Sequence, residues 1–226
     1  MNLVIVYEDE HILAVSKPVG RIVIPGRNGE EESVVEELSR LCGHKLYIVH
    51  RIDREASGLV LFARDADTHR LLSRQFETHH VTKNYDVVVN GQTAGNGVID
   101  KPIRQFGSGR MGVDTRGKSA VTQYRVTEFL PEATFLDVNI VTGRRHQIRV
   151  HFYSLGHPVM GETRYGNEFP VGGVPRLLLH AREIVCDAPG KPGLVMHVPP
   201  PDDFTAAVDA IRRSGDARDI SPTVTA

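Results

Sequence analysis

The stretch Tyr47-Ile-Val-His-Arg-Ile-Asp-Arg-Glu-Ala-Ser-Gly-Leu-Val-Leu-Phe-Ala-Arg-Asp65 decides how this chain is read. Two apolar runs, Tyr47–Val49 and Leu59–Ala63, enclose a polar stretch from His50 to Gly58. Strands on either side of such a stretch present it as a fixed loop, the usual carrier of functional groups. Asp53 lies in its middle, with His50, Arg51 and Arg54 close by in sequence. Cations around a carboxylate favour its ionised form, which suits a nucleophile or an electrostatic stabiliser better than a general acid. An ion pair that merely pins the loop is the plain alternative.

Working outward, Leu3–Tyr7 and Ile12–Lys17 alternate as a hairpin around Glu8–Glu10, and Pro18 ends the second strand. Ser33 and Gly43 bracket a short helix as N-cap and C-cap. Asp65 caps a second helix, on which Leu71, Leu72 and Phe76 share a face. Asn84–Gly91 reads as a strand ending in a turn. Residues 120–130 and 133–141 read as an antiparallel pair around Pro131–Glu132. Residues 144–157 read as a short helix ending at Gly156, residues 176–189 and 193–201 as two strands, and residues 201–215 as a last helix. The sum is an α+β fold, mostly antiparallel sheet with a few helices.

The chain has 226 residues, 40% hydrophobic and 24% charged, enough to bury a core. No apolar run reaches the roughly 18 residues of a membrane span. The first residues carry no basic segment or cleavage site of the secretory kind, so a cytoplasmic protein is expected. Two cysteines, Cys42 and Cys186, are too few for a disulfide framework or a cysteine zinc site. Histidines 146 and 151 are five apart, off a common helical face, so no metal is expected. Gly107–Gly112 matches GxGxxG, but neither a buried strand before it nor a helix after it supports a dinucleotide site.

A net charge of −1 excludes a simple polycation. The charge is uneven. Lys101, Arg104, Arg110, Arg116 and Lys118 stand against Asp114 alone, and Arg144, Arg145 and Arg149 cluster with His146 and His151. Local basic faces on a neutral body fit a site that grips phosphates at chosen places, although solvated surface arginines are the plainer reading of either cluster alone. A helix over 144–157 would set Arg145 and Arg149 on one face with Gln147 beside them, one arginine for a buried carboxylate and one for a phosphate. Lys83 and Tyr85 alternate onto one side of a strand, where the tyrosine could stack on a base. Arg176–Ala181, RLLLHA, could floor a pocket.

Taken in order, HRIDREASG, KNY (83–85), GRRHQIRVH (143–151) and RLLLHA (176–181) resemble the signatures of the RluA-type RNA pseudouridine synthases. The resemblance runs from about Tyr7 to Pro201 and includes YEDEHILAVSKPVG and GKSAVTQYRV. It departs at Ile52, where Leu is usual, and at Ala56, where Thr would offer the loop a hydroxyl. The resemblance implies a mixed, mostly antiparallel, bifurcated sheet around a central cleft. It implies one catalytic domain over 1–213 without an N-terminal RNA-binding module, with a flexible tail over 214–226. It assigns Asp53 as the catalytic aspartate, Tyr85 as the ring that stacks on uracil and assists proton removal from C5, and Arg149 as the partner of Asp53. Arg51 would help flip the nucleotide. Arg54, Lys83, Arg144, Arg145, His146 and Gln147 would line the RNA site, and Leu178 or Leu179 would lie under the base. No cofactor or metal is implied. The expected partner is structured RNA, the target a loop uridine in 23S rRNA, the tRNA anticodon stem-loop or both, and the expected state a monomer. A non-catalytic RNA-binding protein on the same scaffold is the alternative. A glycoside hydrolase or nucleosidase is weaker, because it needs a second carboxylate and none is expected from these motifs.

Overall fold

The computed structural model describes residues 3–26, 31–165 and 174–216. Strands β1 (Val4–Glu8), β2 (Ile12–Lys17), β3 (Tyr47–Ile48) and β4 (Ser57–Ala63) form the N-terminal half with helices α1 (Val34–Cys42) and α2 (Ala66–Glu77). The C-terminal half contains β5 (Thr82–Asn90), β6 (Gly97–Asp100), β7 (Ile103–Gln105), β8 (Met111–Val113), β9 (Val121–Leu130), β10 (Ala133–Ile140), α3 (Gln147–Ser154), β11 (Leu179–Ala188), β12 (Lys191–His197) and α4 (Asp202–Asp216). Ser33 caps α1 through a full capping box with Glu36, and Asp65 caps α2 through the amides of Asp67 and Thr68. Within α2, Leu72 is fully buried whereas Leu71 is exposed, so the shared face is narrower than the sequence suggests. Helix α4 runs to Asp216, three residues into the expected tail; residues 217–226 lie outside the described residues. No helix among the described residues is long and apolar enough to cross a membrane.

One ten-stranded sheet runs through both halves in the order β1-β2-β4-β11-β5-β10-β9-β6, with β3 added to β4 and β12 to β11; β7 and β8 make a separate hairpin. The expected α+β architecture is what forms. GxGxxG spans the turn of that hairpin, where Phe106 N–H donates to the carbonyl of Arg110. The central strand β4 is buried along its whole length and therefore reads as an unbroken apolar run. Its side chains alternate: Val60 and Phe62 join a core under α1 and α3 with Tyr85, Val87 and Leu179, while Leu59 and Leu61 pack with Leu72 of α2. Phe204, Val208 and Ile211 of α4 close the back of the second half over Val88 and Leu178.

The two halves meet along the parallel pairing of β4 with β11, which comprises only His180↔Ser57 and Ala181↔Gly58. Gly58 sits at φ +115°, and a Cβ there would lie 2.2 Å from the carbonyl oxygen of Ala181. Only glycine permits that approach. Side chains reinforce the short seam. Arg176 donates to Ser57 Oγ (2.6 Å) and to Asp203 at the start of α4 (2.7 Å), and Ser57 Oγ lies 2.9 Å from His180 Nδ1. His180 Nε2 bonds the carbonyl of Val198 at 3.1 Å, and burial lowers the imidazole pKa to about 4. A neutral ring that donates from Nε2 must accept at Nδ1, so the Ser57 hydroxyl donates to His180 while accepting from Arg176.

Candidate active site

The His50–Ala56 loop leaves this seam on the side of α3. Behind it lies Lys17, fully buried at the end of β2, whose ammonium donates to the carbonyls of Pro18 (2.8 Å), Arg54 (3.2 Å) and Ala56 (2.7 Å). With Gly20 N–H on the carbonyl of Arg54 and Ala56 N–H on that of Asp53, these bonds fix the loop without a hydroxyl at position 56. Burial pulls the Lys17 pKa down to about 7, against the pull of Asp53 in the opposite direction.

Asp53 opens onto a groove of about 950 Å³ whose walls include Arg51, Arg54, Arg144, Arg145, His146 and Arg164. Beneath it a smaller pocket of about 70 Å³ reaches Ala56, Tyr85, Ile148, Arg149 and Leu179. Arg149 projects from the first turn of α3 and is 1% exposed. Its Nε and one terminal nitrogen grip both oxygens of Glu162, at 2.6 and 2.7 Å. Its other terminal nitrogen donates to Asp53 Oδ2 and Glu55 Oε2, each at 3.1 Å. Glu162 also accepts the amides of Arg164 and Tyr165. Burial alone would raise the Glu162 carboxyl, but Arg149 and those amides hold it below the usual carboxylate range. Burial would likewise lower Arg149, and Glu162 more than reverses it. The arginine is a fixed cation whose fork is held from behind while one nitrogen faces the cleft.

Tyr85 is 8% exposed. Burial first, and then the charge of Asp53, push its phenol well up, so at neutral pH it presents a protonated hydroxyl and an aromatic face. Leu179 lines the same pocket. Leu178 does not: it belongs to the opposite face of the sheet under Phe204, so of the two leucines only Leu179 can lie beneath a base.

Other expected residues are placed differently. Helix α3 starts at Gln147 because His146 has left-handed backbone, φ +55°, so Arg145 precedes the helix and shares no helical face with Arg149. Arg145 is exposed on the groove wall, and Arg144 reaches back to the carbonyl of Ser119 at 2.9 Å. Gln147 is committed internally: its Oε1 takes Thr142 Oγ1 and the amide of Arg144, and its Nε2 bonds Val121 O and Thr122 Oγ1. It staples α3 to β9 rather than offering groups to a ligand. Lys83 is buried with its ammonium over the Phe76 ring, 5.7 Å from its centroid, and lines neither cavity. His50 is no cation beside Asp53. It accepts from Leu61 N–H at 2.9 Å, stacks on Phe76, and its burial, with Lys83 adding to it, lowers its pKa to about 3. Arg51 and Arg54 stand exposed on the rim, Arg54 bonded to the carbonyl of Gly20 at 2.9 Å. Among the described residues, the side-chain cations within 4 Å of the Asp53 carboxylate are Arg149 at 3.1 Å and, if protonated, His146 at 3.8 Å.

The motifs do carry a second acid, Glu55, which the sequence reading overlooked, and Glu162 is a third nearby. Both sit below the usual carboxylate range; burial would raise Glu55, but its backbone bond and Arg149 lower it. Neither is a raised-pKa acid of the kind a two-carboxylate glycoside hydrolase needs. Glu162 and Tyr165 lie in a segment with no periodic pattern. Lys17 closes an apolar strand, a place where a lysine is ordinarily solvated, so its burial has no sequence signal.

A carboxylate at the base of an arginine-walled groove, gripped through one oxygen, can stabilise or capture positive charge at a sugar carbon while an aromatic ring and a leucine hold a base. A family model described as RNA pseudouridylate synthase matches residues 11–154. Ribosomal large subunit pseudouridine synthase D of Pseudomonas aeruginosa is 35% identical over 96% of this chain and 74% of its own length. The protein of the same name from Nitrosomonas europaea is 36% identical over 93% of this chain and 65% of its own. Among solved structures, human RNA pseudouridylate synthase domain containing 4 superposes with a TM-score of 0.77 at 25% identity, covering 92% of this chain and 93% of that one. With more than half its length matched by the family model and a relative above 30% identity matched over most of both chains, this chain belongs to the RNA pseudouridylate synthase family, isomerases that convert uridine to pseudouridine within RNA.

Proposed function

We propose that this chain isomerises a loop uridine of a structured RNA, that large-subunit ribosomal RNA is the first candidate substrate and the tRNA anticodon arm the second, and that Asp53 is the catalytic carboxylate. The observation that carries the reading is the position of Asp53, bonded to buried Arg149 below a groove of arginines and above the pocket of Tyr85 and Leu179. In the reaction the C1′–N1 bond breaks, uracil turns, C5 joins C1′, and the proton of C5 leaves while N1 gains one. Positive charge at C1′ is met by Asp53. Tyr85 stacks on the ring and Leu179 supports it. Arg51, at the lip of both cavities, takes the place of the extruded nucleotide, while Arg54, Arg144, Arg145 and Arg164 hold flanking phosphates.

Extruding a base costs a few kcal/mol, least where it is already unpaired, which favours a loop target over a perfect duplex. The names of the two bacterial relatives support the ribosomal candidate. Tritium release from RNA carrying 5-tritiated uridine tests the chemistry: Asp53→Asn is expected to abolish release while RNA affinity stays within about tenfold. Unchanged turnover at saturating RNA together with weakened binding would refute the role of Asp53. Mapping pseudouridine in total RNA with and without the gene identifies the substrate.

A further inference from the structure

His146 and Tyr165 form a pair that this reaction scheme has not used. His146 holds a left-handed backbone, φ +55°, a conformation that costs a non-glycine residue energy and recurs where geometry at a site is imposed. Its ring meets Tyr165 edge to face, and its Nδ1 lies 2.6 Å from the Tyr165 hydroxyl. On the other side, Nε2 faces Asp53 Oδ1 at 3.8 Å. Tyr165 is 2% exposed, and its hydroxyl oxygen accepts the amide of Met111 at 3.4 Å.

A phenol has one proton to give. With Met111 donating to the oxygen, and no acceptor other than His146 bonded to the hydroxyl among the described residues, that proton points at Nδ1. A neutral imidazole that accepts at Nδ1 carries its hydrogen on Nε2. The opposite tautomer would turn a lone pair toward a carboxylate oxygen. Burial, opposed by Asp53 and aided by Arg149, Arg145 and Arg164, keeps the ring below the usual histidine range and so neutral at pH 7.

We propose that Tyr165 is a positioning residue for the isomerisation: by donating to His146 Nδ1 it fixes the Nε2–H tautomer, directed at the oxygen of Asp53 that Arg149 does not hold. Arg149 makes the two oxygens of Asp53 unequal, and the His146 hydrogen faces the one that Arg149 leaves free. Oδ2 is bonded to Arg149 at 3.1 Å, and Oδ1 faces a donor too distant for a hydrogen bond. Oδ1 keeps its lone pairs and is the oxygen presented to the sugar. Because Met111 belongs to the β7–β8 hairpin, whose Gln105 and Gly109 line the groove, the relay also ties the groove wall to the carboxylate.

The inference rests on Asp53 acting at the uridine, and its test separates the two. Protein labelled with ¹⁵N in its histidine rings gives the tautomer directly, and the difference spectrum against His146→Gln assigns this ring among eleven. The expected result is neutral Nε2–H in the wild type and its loss in Tyr165→Phe. Tyr165→Phe should lower kcat about tenfold, the rate equivalent of one hydrogen bond, with KM for RNA within about twofold. His146→Gln, which keeps an N–H near the place of Nε2, should retain more activity than His146→Ala. An Nδ1–H tautomer or an imidazolium in the wild type would overturn the proposal even if Tyr165→Phe fails to fold. An unchanged kcat, or a rise in KM alone, would overturn it for the folded variant. Turnover by Asp53→Asn would sink the catalytic reading while leaving the tautomer as measured.

Discussion

Replacing Arg149 by Met removes a cation that three carboxylates share. Arg149 and Glu162 are each 1% exposed, and Glu162 would be left with two backbone amides as its partners. Breaking a buried ion pair from one side costs about 3–5 kcal/mol, because the remaining charge stays buried without its counter-ion. For a chain of this size that corresponds to a fall in Tm of about 6–20 °C. The loss should depend on pH with a definite sign. In the wild type Glu162 has a lowered pKa, so its pairing stabilises the fold above the ordinary carboxylate range and fades in acid. In Arg149→Met burial is opposed only by the two backbone amides and favours the protonated acid, so the variant regains stability as pH falls. The gap between the two melting curves should therefore narrow from pH 8 to pH 5. Adding Glu162→Leu replaces the pair by apolar groups of comparable bulk and should recover most of the stability. It should not recover tritium release, since Asp53 Oδ2 still lacks its donor. A gap independent of pH, or a double variant that regains activity along with stability, would refute the reasoning.

Three further perturbations address the seam and one buried lysine. Gly58→Ala should cost more than about 3 kcal/mol in urea unfolding, because its Cβ meets the backbone of Ala181, whereas Gly20→Ala, also at positive φ but in open space, should cost only about 1–2 kcal/mol. Ser57→Ala leaves Arg176 without one acceptor and His180 without its donor, and should lower stability by about 1–3 kcal/mol; an unchanged unfolding midpoint would mean that the side-chain link across the seam is idle. Burial lowers the Lys83 pKa to about 8, so between pH 8 and 10.5 the unfolded chain binds a proton that the folded one lacks. Wild-type stability should rise through that window relative to Lys83→Met, by at most about 1.4 kcal/mol per pH unit, and parallel curves would contradict it.

Much of the architecture was legible because it obeys short periods. The apolar runs of β2 and β4, the Ser33–Glu36 box and the Asp65 cap are local, and each formed where the residues indicated. The misplacements have local causes too. Helix α3 begins later than its amphipathic pattern because His146 adopts a conformation that a sequence pattern assigns to glycine or asparagine. Lys83 lies over Phe76 outside both cavities while Tyr85, two residues on, lines the lower pocket, a difference that strand alternation does not show. Leu178 and Leu179 were indistinguishable until register set one on each face of the sheet.

What sequence periodicity does not carry is pairing across the fold, and that explains the gaps at the site. Asp53 was found from its setting in a strand-bounded loop, yet the neighbours credited with controlling it, Arg51, Arg54 and His50, are neighbours only along the chain. Two of them stand on the rim, and the third is a neutral, half-buried ring. Control comes from residues about a hundred positions away: Arg149 touches the carboxylate and Glu162 fixes the arginine, while His146 faces the other oxygen under the hand of Tyr165. A charge that must be buried has to find its partner in three dimensions, since burial without one is prohibitive. The acid in GETRYG and the cation in HQIRVH thus require one another, and buried Lys17 likewise finds its acceptors in the carbonyls of the loop that carries Asp53.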